Sequence, residues 1–218
     1  LRCLVNRVRS AFIRHCFDDL DRFLEEARKL RDSISDLGWR GVVFDVLLDY
    51  WGSLVRGDRY VVGFIGVGSK SELVRSIDEA YNVYCSSMDR ILGRLDKVEV
   101  PSSLSWFIEC IRRIVRYVFM ARLKSLDARR FENFSSADEL WFEAANLLES
   151  IRDCLLPFER RIVDAYISKY RAFGYNVRVM RHIFLLHSIR TVSDFRSFVG
   201  RVKAVSYTHL TLPTTERV

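Results

Sequence analysis

"CFDDLDRFLEEARKLRDSISDLG", residues 16 to 38, decides how this chain is read. Cys16, Leu20, Phe23, Ala27, Leu30, Ile34 and Leu37 recur at steps of four and three, and charged residues fill the places between them. Positions at such steps share one face of an α-helix, so the stretch predicts an amphipathic helix. Leu1, Val5, Val8 and Phe12 carry the stripe backwards with a one-step slip. The whole would be a rod of about 35 residues, roughly 50 Å long at the helical rise. A rod of this kind must cover its apolar stripe, either inside a bundle of its own chain or against a second copy. The first is the leading expectation; the second leaves a possible homo-oligomer through residues 16–37. Gly38 is expected to stop the rod.

The same period runs through most of the remaining chain. "RGVVFDVLLDYWGSLVRG" (40–57) reads as a shorter, heavily buried helix. A long helix is expected from about Ser69 to Leu95, with Ser69 and Glu72 at capping-box spacing and Leu73, Ile77, Tyr81, Tyr84, Met88, Ile91 and Leu95 as its stripe. Pro101 separates it from a helix over 104–126. Ser136 and Glu139, again three apart, start another, and Pro157 kinks it or divides it from the next. That next helix is expected to end at Gly174, followed by two short helices, from about Asn176 to Arg190 and from Ser193 to Val202. One stretch departs from the helical pattern. "RYVVGFIGVGSKSEL" (59–73) carries an unbroken apolar run with Gly63, Gly66 and Gly68, and predicts a short extended segment at about 59–68. Its glycines lack the Lys placement of a phosphate-binding loop, so a buried turn is expected there. The fold class is therefore all-α: a multi-helix bundle at 1–156 with a basic helical part, 157–203, packed on it.

The last residues, "AVSYTHLTLPTTERV" (204–218), are polar and Thr-rich with no usable period. Residues 205–218 resemble one reading frame of the adapter DNA used in sequencing libraries, and Leu1 already sits inside a helical pattern. The expectation is a gene fragment of metagenomic type whose tail is not native, is disordered and buries no core. The remaining 204 residues or so suffice for a sizeable core. No apolar run approaches the roughly 18 residues that cross a bilayer, so no membrane partner is expected. The five cysteines are scattered, odd in number and without a CxxC pair, and read as small buried hydrophobes of a reducing compartment. The expected location is cytoplasmic.

Charge is segregated along the chain. Residues 1–151 hold 23 Lys plus Arg against 23 Asp plus Glu, whereas 152–203 hold 11 against four. Within that quarter Arg160, Arg161, Lys169, Arg171, Arg178 and Arg181 alternate with Tyr166, Tyr170, Phe173 and Tyr175. Cations neutralise phosphates and rings stack on bases, so this part is expected to hold a nucleic-acid backbone, RNA or DNA, with Tyr170 and Tyr175 as stacking residues. A surface for an acidic protein partner fits the same charges. The helix, Gly174, helix layout loosely resembles a helix-turn-helix, except that Tyr170 stands where a small residue is needed for close helix crossing.

Two further readings rest on short spacings. Arg181 and His187 in "RHIFLLH", with His182 after the Arg, and Arg9 and His15 in "RSAFIRH", place an Arg before a His as in the HEPN ribonuclease families, which this chain resembles in these residues. The resemblance implies an RNA-cutting cleft without metal, commonly at a dimer interface, with Arg181 and His187 as the catalytic pair. His187 also continues the stripe of Met180 and Ile183, which fits a hydrogen-bonded core histidine. "HSIR" (187–190) has the His-x-x-Arg spacing of tyrosine recombinases. No spacing of metal ligands, no Ser, His and Asp set and no cofactor motif stands out, so neither metal nor cofactor is expected. The third function class is a helical scaffold or oligomerisation subunit working through the first helix.

Overall fold

The computed structural model describes residues 16–34, 37–62, 70–130, 136–155 and 157–187. Among them are six α-helices and no strand. They are α1 (Phe17–Asp32), α2 (Trp39–Val62), α3 (Lys70–Leu95), α4 (Ser105–Asp127), α5 (Ala137–Glu149) and α6 (Pro157–His187). Short 3-10 turns at Ser102–Leu104 and Arg152–Cys154 precede α4 and α6. The all-α bundle read from the sequence is the fold. None of the described helices is long and apolar enough to cross a membrane.

Each helix packs on the next one in the chain, from α1 on α2 through to α5 on α6. Short connections produce this ordering, since a helix joined by a few residues to its predecessor has that helix as its nearest apolar surface. The stripe on α3 was legible: Ile77, Tyr84, Ile91 and Leu95 are fully buried, with Leu73, Tyr81 and Met88 packed against the same core. Ile108, Ile111, Val115, Val118 and Phe119 supply the α4 face, and Trp141, Ala144, Ala145 and Leu148 the α5 face. Ile162, Val163, Tyr166, Ile167 and Tyr170 of α6 join the same cluster.

Local signals explain several of the boundaries. Gly38 takes a φ of 49°, a left-handed conformation that strains other residues, and so turns the chain into α2. Pro157 opens α6 as its first residue, where a missing N–H is harmless, so it divides two helices. Ser136 stands at the N-cap of α5, although its side chain makes no cap hydrogen bond.

Four expectations are corrected. Residues 59–62 are helical, because α2 continues to Val62; residues 63–69, the rest of the expected extended segment, lie outside the described residues. Gly174 does not end a helix. α6 passes through it to His187, so the helix-turn-helix layout is absent and the helix expected from Asn176 is the continuation of α6. Gly174 is buried, and a Cβ there would lie 3.0 Å from Phe142 Cζ; the glycine serves the close approach of α5 to α6. On the first helix only Leu20 of the predicted stripe is buried, while Leu30 is 61 % exposed and Ile34 41 %. Among the described residues α1 packs mainly on α2, and Leu30 and Ile34 stay outside that contact. Finally, Cys16 is exposed and Cys85, Cys110 and Cys154 are half-buried, so the cysteines are not uniformly core residues. The part of the first rod at 1–15, the short helix expected at 193–202 and the 205–218 tail lie outside the described residues.

Candidate nucleic-acid interface

α6 carries every described residue nominated for nucleic acid, and the structure sorts them by what they touch. Arg160 and Arg161, in its first turn and a half, are exposed and have no partner among the described residues. Arg171 is ion-paired with Glu149 at the end of α5, and both ends of that pair are more than two-fifths exposed. Lys169 is half-buried, with its ammonium 5.7 Å from the centre of the Tyr166 ring. Burial lowers its affinity for a proton, and Arg129 and Arg122 lower it further.

Arg178 and Arg181 are occupied. Both meet Oδ2 of Asp138, at 3.0 and 2.5 Å, and Asp138 is buried in the first turn of α5. The Arg178 guanidinium also lies 4.8 Å from the centre of the Phe142 ring. Withdrawing either cation toward a phosphate weakens the compensation of a buried carboxylate. His187 is the last residue of α6, so Arg181 and His187 share a helix. Arg9, His15 and Arg190 lie outside the described residues.

The nominated rings also separate. Tyr170 is 2 % exposed, and its hydroxyl accepts a hydrogen bond from Arg122 Nη1 at 2.6 Å; it belongs to the core and is not a stacking surface. Tyr166 is likewise buried. Tyr175 is exposed and set edge-on against Phe142, while Phe173, partly exposed, lies 4.9 Å from the Trp141 ring. Phe173 and Tyr175 are thus the rings of this set that keep outward surface.

Beneath α6 lies a polar cluster that the sequence reading missed. Asp58 of α2 accepts from the Tyr84 hydroxyl on Oδ1 at 2.5 Å, and on Oδ2 from Arg122 Nη2 at 2.8 Å and the Tyr166 hydroxyl at 3.2 Å. The Arg122 guanidinium stacks 3.8 Å from the Tyr166 ring centre. Burial opposes the Arg122 charge, but Asp58 and the surrounding tyrosines hold its pKa well above the ordinary value. Burial raises the Tyr84 hydroxyl, and the Asp58 carboxylate raises it again; burial does the same to Tyr166 and Tyr50. A cavity of about 30 Å³, roughly the volume of one water, lies beside Tyr50, Arg122, Tyr166 and Tyr170. The cluster is a clamp joining α2, α3, α4 and α6. Its sequence signal was weak, because Asp58 in "SLVRGDRYVV" and Arg122 in "VFMARLKSL" stand near other charges, Arg56, Arg59 and Lys124.

Gly57 belongs to the same arrangement. A Cβ there would fall 2.1 Å from Tyr84 Cε1, so only glycine lets the Tyr84 ring pass α2 and reach Asp58. Among the described residues no three His, Cys, Asp or Glu side chains are placed to hold a metal ion.

The fold and this site define an all-α helical bundle braced by a buried arginine–aspartate–tyrosine clamp, with a basic helix on its edge. Comparison with protein-family models, with curated proteins and with solved structures finds no match to this chain.

Proposed function

We propose that this chain associates with nucleic acid by holding the phosphate backbone along the first half of α6. The observation that carries the reading is the adjacent pair Arg160 and Arg161, exposed and without counter-charges among the described residues, in the quarter of the chain that holds the cation surplus. Arg171 extends the footprint, because exchanging exposed Glu149 for a phosphate costs little in water. Arg178 and Arg181 are left out of it, being committed to Asp138. Phe173 and Tyr175 replace Tyr170 as the rings that meet unpaired bases. Contacts of this kind read charge and not sequence.

Salt dependence tests the reading. Arg160→Ala with Arg161→Ala should flatten the slope of log K against log salt on duplex by roughly one to two units, with the melting temperature unchanged. A slope indifferent to both changes, in a folded protein, would sink the proposal and give the basic face to an acidic protein partner.

A second reading, the scaffold, is favoured by the exposed Leu30 on α1 and the exposed Ile34 just past its end. If α1 meets a second copy, Leu30→Glu turns an oligomer into folded monomers, which light scattering reads directly. In either case the monomer's stability should shift by no more than about 0.5 kcal/mol, since Leu30 is a surface residue.

A further inference from the structure

Cys110 and Cys154 are distant in sequence and lie on elements that pack together in the fold. Cys110 lies on α4, and Cys154 ends the 3-10 turn that leads into α6. α4 packs on that turn. One helical turn beyond Cys110, Arg113 Nη2 donates to the Ser150 carbonyl at 3.2 Å, so this face of α4 is fixed against the end of α5. Backbone bonds from Cys154 N to the Ile151 carbonyl, 2.9 Å, and from Leu155 N to the Arg152 carbonyl hold the turn, while buried Ile151 and Leu155 anchor it on either side of Cys154. Burial pushes the Cys110 thiol up, and the Cys154 thiol beside it pushes it further, whereas Arg113 opposes both. Both residues keep part of their surface in solvent.

We propose that Cys110 and Cys154 form a redox site, an intrachain dithiol that closes to a disulfide by exchange with a small disulfide such as oxidised glutathione. One protein thiolate attacks a sulfur of the glutathione disulfide and releases a glutathione thiolate, leaving a mixed disulfide. The second protein thiolate attacks the protein sulfur of that bond and releases the other glutathione. Two protein thiols are oxidised by two electrons, one disulfide reagent is reduced to two thiols, and the two protons pass to the departing glutathiones. Because the thiolate is the attacking form, the reaction is slow near neutrality and quickens as pH rises. The product cross-links α4 to the turn that sets where α6 begins, and closes a long loop through α5, which restrains the unfolded chain.

The test uses the wild-type chain, folded as judged by circular dichroism, incubated with oxidised glutathione and mapped by mass spectrometry. The expected product is two hydrogens lighter, carries a Cys110–Cys154 cross-linked peptide, reverts with dithiothreitol and melts several degrees higher than the reduced form. Separate glutathione adducts on Cys110 and Cys154, unreacted thiols at both positions, or a cross-link that forms only in denaturant would each overturn the proposal.

Discussion

Two buried aspartates, Asp58 and Asp138, are each compensated by arginine, and they are compensated differently. Asp58 receives three donors spread over both its oxygens, and its arginine is itself only 8 % exposed. Asp138 takes Arg178 and Arg181 on a single oxygen, with Oδ1 left unpartnered among the described residues, and those arginines are 24 % and 31 % exposed. The first arrangement sits where four helices converge, and withdrawing any member strands a charge away from water. The second sits at the edge, where α6 runs past the start of α5, and water reaches the guanidinium side. Identical residue types thus make a lock in one place and a tether in the other, the difference being access to solvent.

The largest effect should come from Arg122→Met, which leaves Asp58 buried without a cation. Chemical denaturation should show a loss of roughly 3–5 kcal/mol, or failure to fold, and a loss under about 1 kcal/mol would mean that the lock is no stronger than the tether.

Next is Tyr84→Phe, which removes the donor to Asp58 Oδ1 and should lose roughly 1–3 kcal/mol. It also carries a pH signature. Tyr84 and Tyr166 have folded pKa values raised above the unfolded value near 10, so their contribution is present below about pH 10 and lost as pH rises beyond it. Urea midpoints from about pH 8 to about pH 11 should fall in the wild type, and fall less steeply in Tyr84→Phe. Equal slopes would show that Tyr84 is not linked to folding.

The smallest loss should be that of Arg181→Ala, about 1 kcal/mol, because Arg178 still faces Asp138 and water solvates the gap. A loss matching that of Arg122→Met would erase the distinction between the two aspartates.

Much of the fold was legible in the sequence. The spacing of Ile77, Tyr84, Ile91 and Leu95 is a property of one helix, and periodicity reports it without reference to any neighbour. The candidate site was legible only as a composition. Arg160 and Arg178 look alike along the chain, yet the first has no partner among the described residues and the second is spent on a carboxylate 40 positions away. Tyr170 and Tyr175 look equally fit to stack, and only the packing of α6 on α4 and α5 sends one into the core.

Gly174 marks the boundary between the two kinds of information. Read locally it is a helix stop, since glycine is the poorest non-proline helix former. In the fold it is the position where a Cβ would press on the Phe142 ring, and the helix runs on because packing on both sides of it outweighs that preference. Local pattern establishes that this chain is made of amphipathic helices and that its cation surplus gathers in residues 152–203, because both are counts over neighbouring residues. Which cations remain available and which tyrosines are buried was settled by the tertiary fold, because each depends on a partner tens of residues away whose distance no local pattern records.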